Sequence, residues 1–274
     1  MRMKPPIGPA TRLCMSLAAR PGTFGSRFHN HLYAALGLDY VYKAFTTTDL
    51  PGAITGIRAL GIRGCAVSMP FKEDVIPLLD GLDPSAAAID SVNTIVNEDG
   101  VLLGYNTDYT AVRTLTEALD ADRTAPFLLR GSGGMAKAVA TALVDARFTN
   151  GRIAARNRAK GAALADRLGL AHVADPAGLE AAMLVNVTPL GMTGADADAL
   201  AFTPDQIAAA SVVVDVVAKP VETPLLRAAR AAGKTVVTGA AIAKLQALEQ
   251  FVLYTGVTPD DEQVAAAEAF ALAG

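Results

Sequence analysis

Short apolar runs alternate with longer amphipathic stretches along the first hundred positions. RLCMSL (12–17), VYKAFT (41–46) and RGCAVSM (63–69) read as strands. Between them, SRFHNHLYAALG (26–37) and residues 49–60 read as helices closed by Gly37 and Gly61. Residues 91–106, SVNTIVNEDGVLLGYN, read as a hairpin turning at Asp99-Gly100. Repeated strand–helix units imply a mostly parallel sheet with helices on its faces.

Residues 107–119 have a helical pattern with Thr107 or Asp108 near the cap. They bridge to a second alternating region. There the predicted strands are 126–130, 151–155, 183–188, 212–217 and 235–239, and the predicted helices are 134–146, 158–168 and 224–232. This is the pattern of a doubly wound nucleotide domain. The tail, 240–272, is helical and follows the last strand of that domain, a position from which it can pack back on the first. The prediction is an α/β chain of two domains. An N-terminal α/β substrate domain takes 1–107 with 240–274, and a Rossmann-type, doubly wound domain takes 108–239.

The most informative stretch is the glycine turn between the strand ending at Arg130 and the next helix. Gly131, Gly133 and Ala136 fit G-x-G-x-x-G/A, with a further small residue at Gly134. Glycine lets the backbone turn tightly and approach a pyrophosphate with no Cβ in the way. The following helix offers unpaired N–H groups to the phosphates. A purely structural strand-to-helix turn is the other reading. The next strand ends AARNR, with Arg156 and Arg158 and no acid. An acid there holds the ribose 2′-hydroxyl of NAD. Arginine suits a 2′-phosphate through charge-assisted, bidentate bonds, so the prediction is NADP. A solvated arginine pair is the alternative.

Composition narrows the function classes. Of 274 residues, 51% are apolar and 19% charged, so a sizeable core can be buried. A net charge of −3 gives no footprint for nucleic acid or an anionic membrane. No apolar run reaches the roughly 18 residues of a spanning helix. MRMKPPIGPATRL lacks the apolar centre of a signal peptide, and a cytoplasmic location is expected. Cys14 and Cys65 form no metal pattern and read as buried thiols. His29, His31 and His172 are not spaced as a metal set and read as structural or surface residues.

Two segments of the first domain carry candidate chemistry. In SMPFKED (68–74), Pro70 breaks the strand and Lys72 stands just past its C-terminal end. Open α/β sheets bind ligands at that end. In GYNTDY (104–109), Asn106, Thr107 and Asp108 cluster where the hairpin gives way to a helix. A lysine beside an aspartate can work as an acid/base pair. From spacing alone, a surface Lys72 and a helix-capping Asp108 is the commoner reading.

Seven ordered segments together resemble the shikimate dehydrogenase family over nearly the whole chain. They are AVSMPFKE (66–73), SVNTIV (91–96), GYNTDY (104–109), GSGGMAKA (131–138), NVTPLGM (186–192), VDVVAKPVETPLL (214–226) and GAAIAKLQALEQF (239–251). The resemblance implies reversible reduction of 3-dehydroshikimate with NADPH, and C-terminal helices returning to the substrate domain. It implies proton transfer by Lys72, paired with Asp108, which also binds a ring hydroxyl. Asn93 and Gln246 would bind further hydroxyls, and Ser68 stands where the family has threonine. Gly131, Ser132, Gly133, Gly134 and Met135 would form the phosphate turn. Arg156 would hold the 2′-phosphate, although Ala155 replaces the family's asparagine beside it. Val216 and Gly239 would line the nicotinamide side.

The departures lie mostly at the substrate end. Where the family's SxSPxxHN segment places two carboxylate-binding serines, this chain has Thr23 and Gly25. Ala218 replaces a tyrosine, and Arg130 stands where an apolar residue is common. CMSLAARPGTFG (14–25) resembles the divergent shikimate dehydrogenase-like branch, and Arg20 is the expected substitute for the lost serine. The expected partner is a small carbocyclic acid, with the chain as monomer or homodimer. Shikimate itself is expected to turn over weakly. The alternatives are a quinate or substituted-shikimate dehydrogenase, an NADP(H)-binding sensor, and a folate-type methylene dehydrogenase. The GYNTDY and QALEQF segments speak against the last.

Overall fold

The computed structural model describes residues 3–273. The chain divides into two compact units, Met1–Thr107 with Lys244–Gly274, and Asp108–Ala243. The first unit holds β1 (Arg12–Leu17), α1 (Phe24–Ala35), β2 (Tyr40–Phe45), α2 (Leu50–Ala59), β3 (Gly64–Val67), β4 (Gly81–Leu82), α3 (Pro84–Ala87), β5 (Thr94–Glu98) and β6 (Val101–Tyr105). Its sheet has six strands in the order β2-β1-β3-β5-β6-β4. The sheet is mostly parallel, as the sequence reading has it, with the predicted hairpin making β5 antiparallel to both β3 and β6. The hairpin responsible turns at Asp99 and Gly100, both at positive φ (51° and 91°).

One side of this sheet packs Ile54 and Ile57 of α2 against Met15, Leu17, Cys65 and Val67. The other packs Phe28 and Leu32 of α1 against Cys14, Phe251, Tyr254 and Ala267. The last three come from the C-terminal helices, α9 (Gly239–Thr255) and α10 (Asp261–Leu272), so the tail returns to the first unit. The sequence reading opened that return at residue 240, whereas the compact unit takes up the chain at Lys244, inside α9. Arg63 fastens the end of α9, donating to the carbonyls of Leu253 and Tyr254 at 3.1 and 2.8 Å. Gly64 leaves room for the Tyr254 ring, since a Cβ there would lie 2.2 Å from it.

His29 is fully buried in this core, stacked on Tyr42 at 4.5 Å, and both cysteines are free and buried. Burial lowers the His29 pKa to about 3, with the Gln250 side chain opposing the shift. The unit's short pieces, β4 and α3, escape sequence reading because too few residues carry a period.

The second unit holds α4 (Thr107–Glu117), which begins at the boundary, then β7 (Phe127–Arg130), α5 (Gly134–Asp145), β8 (Gly151–Ala154), α6 (Arg158–Leu168) and β9 (Ala171–Val173). β10 (Met183–Asn186), α7 (Pro204–Ala209), β11 (Val212–Asp215), α8 (Pro224–Ala231) and β12 (Thr235–Thr238) follow. All pairs in its sheet are parallel, and the order is β12-β11-β10-β7-β8-β9. This is the doubly wound arrangement expected. Two strands stop short of the sequence reading for one physical reason. The Asn186 side chain accepts from Thr188 N–H at 3.1 Å and that of Asp215 from Val217 N–H at 3.1 Å. Such local bonds turn the backbone out of the ladder.

Candidate active site

In the first unit, three chain segments are fastened around Asn93. Val67 N–H, at the end of β3, donates to the Asn93 carbonyl at 2.7 Å. Val92 N–H donates to the Lys72 carbonyl at 2.8 Å, which pins the Lys72 loop one residue from Asn93. Ser68 N–H donates to Leu17 at 2.9 Å and Phe71 N–H to Ser68 at 3.0 Å, holding the turn between. Lys72 is half-buried and Ser68 exposed.

The Asn93 side chain is fully buried. Its Oδ1 accepts from Thr107 N–H at 2.8 Å, Thr94 Oγ1 at 2.8 Å and Thr107 Oγ1 at 3.2 Å. Those donors settle which end of the amide is oxygen. Its Nδ2 has no hydrogen-bond partner among the described residues. A buried donor left unmade costs about 1–3 kcal/mol, so this amide is set to receive an acceptor.

Asn106, read beside Thr107 and Asp108 in the sequence, is structural. Its N–H donates to Ser85 Oγ at 3.0 Å and its Nδ2 to Ser91 O at 2.8 Å. Gln246 is half-buried on α9. Thr23 and Arg20 are exposed on the β1–α1 connection, and neither side chain makes a hydrogen bond or ion pair among the described residues. Asp108 is buried in the first turn of α4 and opens the second unit.

In the second unit, the sequence-predicted cofactor residues gather at one edge of the sheet. Gly131 follows β7, Arg156 follows β8, Val216 follows β11 and Gly239 follows β12, all past the carboxyl ends of parallel strands. β7 and β10 form the topological switch point, where doubly wound sheets bind ligands. Gly131 sits there at φ +133°, and a Cβ on it would lie 2.7 Å from Val187. Gly133 and Gly134 are exposed, with open space where a Cβ would project. That space at the N-terminus of α5 fits a dinucleotide pyrophosphate. Ser132 and Met135 flank it, half-buried.

Arg156 is exposed beyond β8, and Asn157 next to it caps α6, accepting from Lys160 N–H at 3.0 Å. Arg130 reaches the Ala201 carbonyl. Gly239 is required by packing, since a Cβ there would lie 2.3 Å from the Val217 carbonyl.

Sequence reasoning missed the group that locks this edge. Buried Asp215 accepts from Asn186 Nδ2 at 3.0 Å and from Thr223 Oγ1 at 2.6 Å. Burial pushes its carboxyl pKa up, and these bonds oppose the shift. An acid at the end of an otherwise apolar strand was the available signal. Among the described residues no cluster is fit to hold a metal ion, and no helix is long and apolar enough to cross a membrane.

The shikimate dehydrogenase substrate binding domain model matches residues 23–95. A shikimate dehydrogenase-like protein of Haemophilus influenzae is 53% identical over 266 residues, covering 97% of this chain and 98% of the relative. The structure of shikimate 5-dehydrogenase from Thermus thermophilus with NADP(H) and shikimate is 31% identical, with a TM-score of 0.83 over 94% of this chain and 99% of that one. A quinate dehydrogenase from Corynebacterium glutamicum with NAD is 29% identical, with a TM-score of 0.87 over 96% and 98%.

Proposed function

This chain belongs to the shikimate dehydrogenase family of oxidoreductases, and from that premise we propose that it interconverts 3-dehydroshikimate, or a close relative, and the corresponding alcohol with NADP. The observation that carries the reading is the Asn93 amide. Its oxygen is saturated and its buried N–H groups are unpartnered, beside the anchored Lys72 loop. A carbocyclic polyol presents the acceptors that such a group lacks.

Asn93 and Gln246 then hold ring hydroxyls, with Ser68, Thr23 and Arg20 as further substrate contacts. Lys72 Nζ takes the carbinol proton during oxidation and returns it during reduction. Asp108 is its accompanying carboxylate, favouring the ammonium form and binding a hydroxyl. Fixing the ring in one orientation removes much of the entropic barrier. Gly131, Ser132, Gly133, Gly134 and Met135 cradle the pyrophosphate, Arg156 takes the 2′-phosphate, and Val216 and Gly239 flank the nicotinamide. The nicotinamide supplies the hydride acceptor or donor at the carbinol carbon.

A second reading keeps the chemistry and changes the acid to quinate or a substituted shikimate. Gly25 and Ala218, each lacking a polar group common in the family, favour it, as does the likeness to the quinate enzyme. The test is shikimate and quinate titration of wild type and Asn93→Ala by calorimetry. A tenfold or greater loss of affinity for one acid, with NADP binding unchanged, supports the proposal. Affinity for both acids unchanged from wild type in Asn93→Ala defeats it.

A further inference from the structure

We propose that Gln250 is a positioning residue that fixes which way the Asn93 amide faces, acting through the hydroxyl of Thr94. The inference rests on the reading of Asn93 as a substrate ligand. Gln250 is buried on α9, one turn beyond Gln246. Its Nε2–H donates to Thr94 Oγ1 at 2.9 Å, across 156 positions of sequence. A hydroxyl has one hydrogen to give. With a donor arriving from Gln250, the Thr94 hydrogen goes on to Asn93 Oδ1 at 2.8 Å. The relay therefore runs one way: amide N–H to hydroxyl, hydroxyl to amide oxygen. It holds the Asn93 oxygen inward beside Thr107 N–H and turns the N–H groups to the unpartnered side. All four residues lie in the first unit. The C-terminal helix thus supplies polarity to the candidate substrate amide as well as apolar cover to the core.

The polarity of the relay, rather than its bulk, is what the test reads. Gln250→Glu keeps the shape but offers Thr94 an acceptor, which reverses the hydroxyl and sets oxygen against Asn93 Oδ1. Gln250→Leu removes both roles and leaves Thr94 free to keep donating. The expected order of lost affinity for shikimate, by calorimetry, is Glu well beyond Leu, with Glu tenfold or more. NADP affinity should stay within about twofold. Equal losses, or a greater loss in Leu, overturn the relay.

Thr94→Val and Thr94→Ser form a second test that does not depend on the Glu variant folding. Val should lose affinity and Ser should recover most of it; equal affinities overturn the proposal. Side-chain amide resonances of Asn93, assigned by their absence in Asn93→Ala, separate the two layers of the argument. If Asn93→Ala binds shikimate normally, the substrate reading fails while the resonances still report the relay. Unshifted resonances in Gln250→Glu overturn the relay alone.

Discussion

Thr107 N–H donates to Asn93 Oδ1 at 2.8 Å, joining the residue at which the chain first leaves the first unit to the residue just before β5. Both residues are buried, so removing the acceptor strands a donor away from water. Asn93→Ala should therefore cost about 1–3 kcal/mol of folding stability. Urea unfolding with an unchanged slope would measure it. A loss below about half a kcal/mol would mean that water reaches Thr107 or that removal of the unpaired Nδ2 offsets the lost bond.

His29 predicts a pH dependence of the first unit's stability. Its pKa falls from 6.5 to about 3 on folding because burial excludes the charged ring. Between those values the unfolded chain binds a proton that the folded one does not. Stability is fully present above 6.5 and falls as pH drops toward 3, by about 1.4 kcal/mol per pH unit. Between about pH 7 and pH 5, wild type should lose about 2 kcal/mol more than His29→Gln. Parallel stability curves for the two proteins would show that the imidazole protonates in place.

Both cysteines are predicted to be silent. Burial pushes the Cys14 thiol up to about 12 and raises Cys65 as well. The thiolate is the reacting species, so a thiol reagent near neutral pH should label neither residue in the folded protein. Both should react once the chain is unfolded. Labelling of the native protein would reveal an opening of the β1–β3 region.

The proposed role of Arg156 at the 2′-phosphate makes it the expected source of the cofactor preference. It is exposed beyond β8, where the chain offers no acid to a ribose hydroxyl. Arg156→Ala should weaken NADP by about 10–100-fold, the worth of a charge-assisted bond. NAD binding should stay the same. Equal weakening of both would place the arginine elsewhere on the nucleotide.

Legibility in the sequence followed local chemistry. The turn at Gly131 and the helix bounded by Asn157 and Gly169 could be read because a positive φ and a side-chain cap each demand particular residues. β9, with the sequence Ala-His-Val, could not be read because three residues define no period. Asp108, Lys72 and Asn93 drew attention through their motifs. Gln250 did not, since its role depends on Thr94, distant in sequence and brought close only by the returning helix. Asp215 was hidden similarly, because its partners are Asn186 at the end of β10 and Thr223 at the cap of α8.

The most direct measurement is NADPH formation by the purified protein with shikimate and with quinate, wild type beside Lys72→Ala. Turnover of at least one acid is expected, falling roughly 10²–10⁴-fold in the variant. Tight NADP binding with no turnover of either acid, or equal rates in the two proteins, would contradict it.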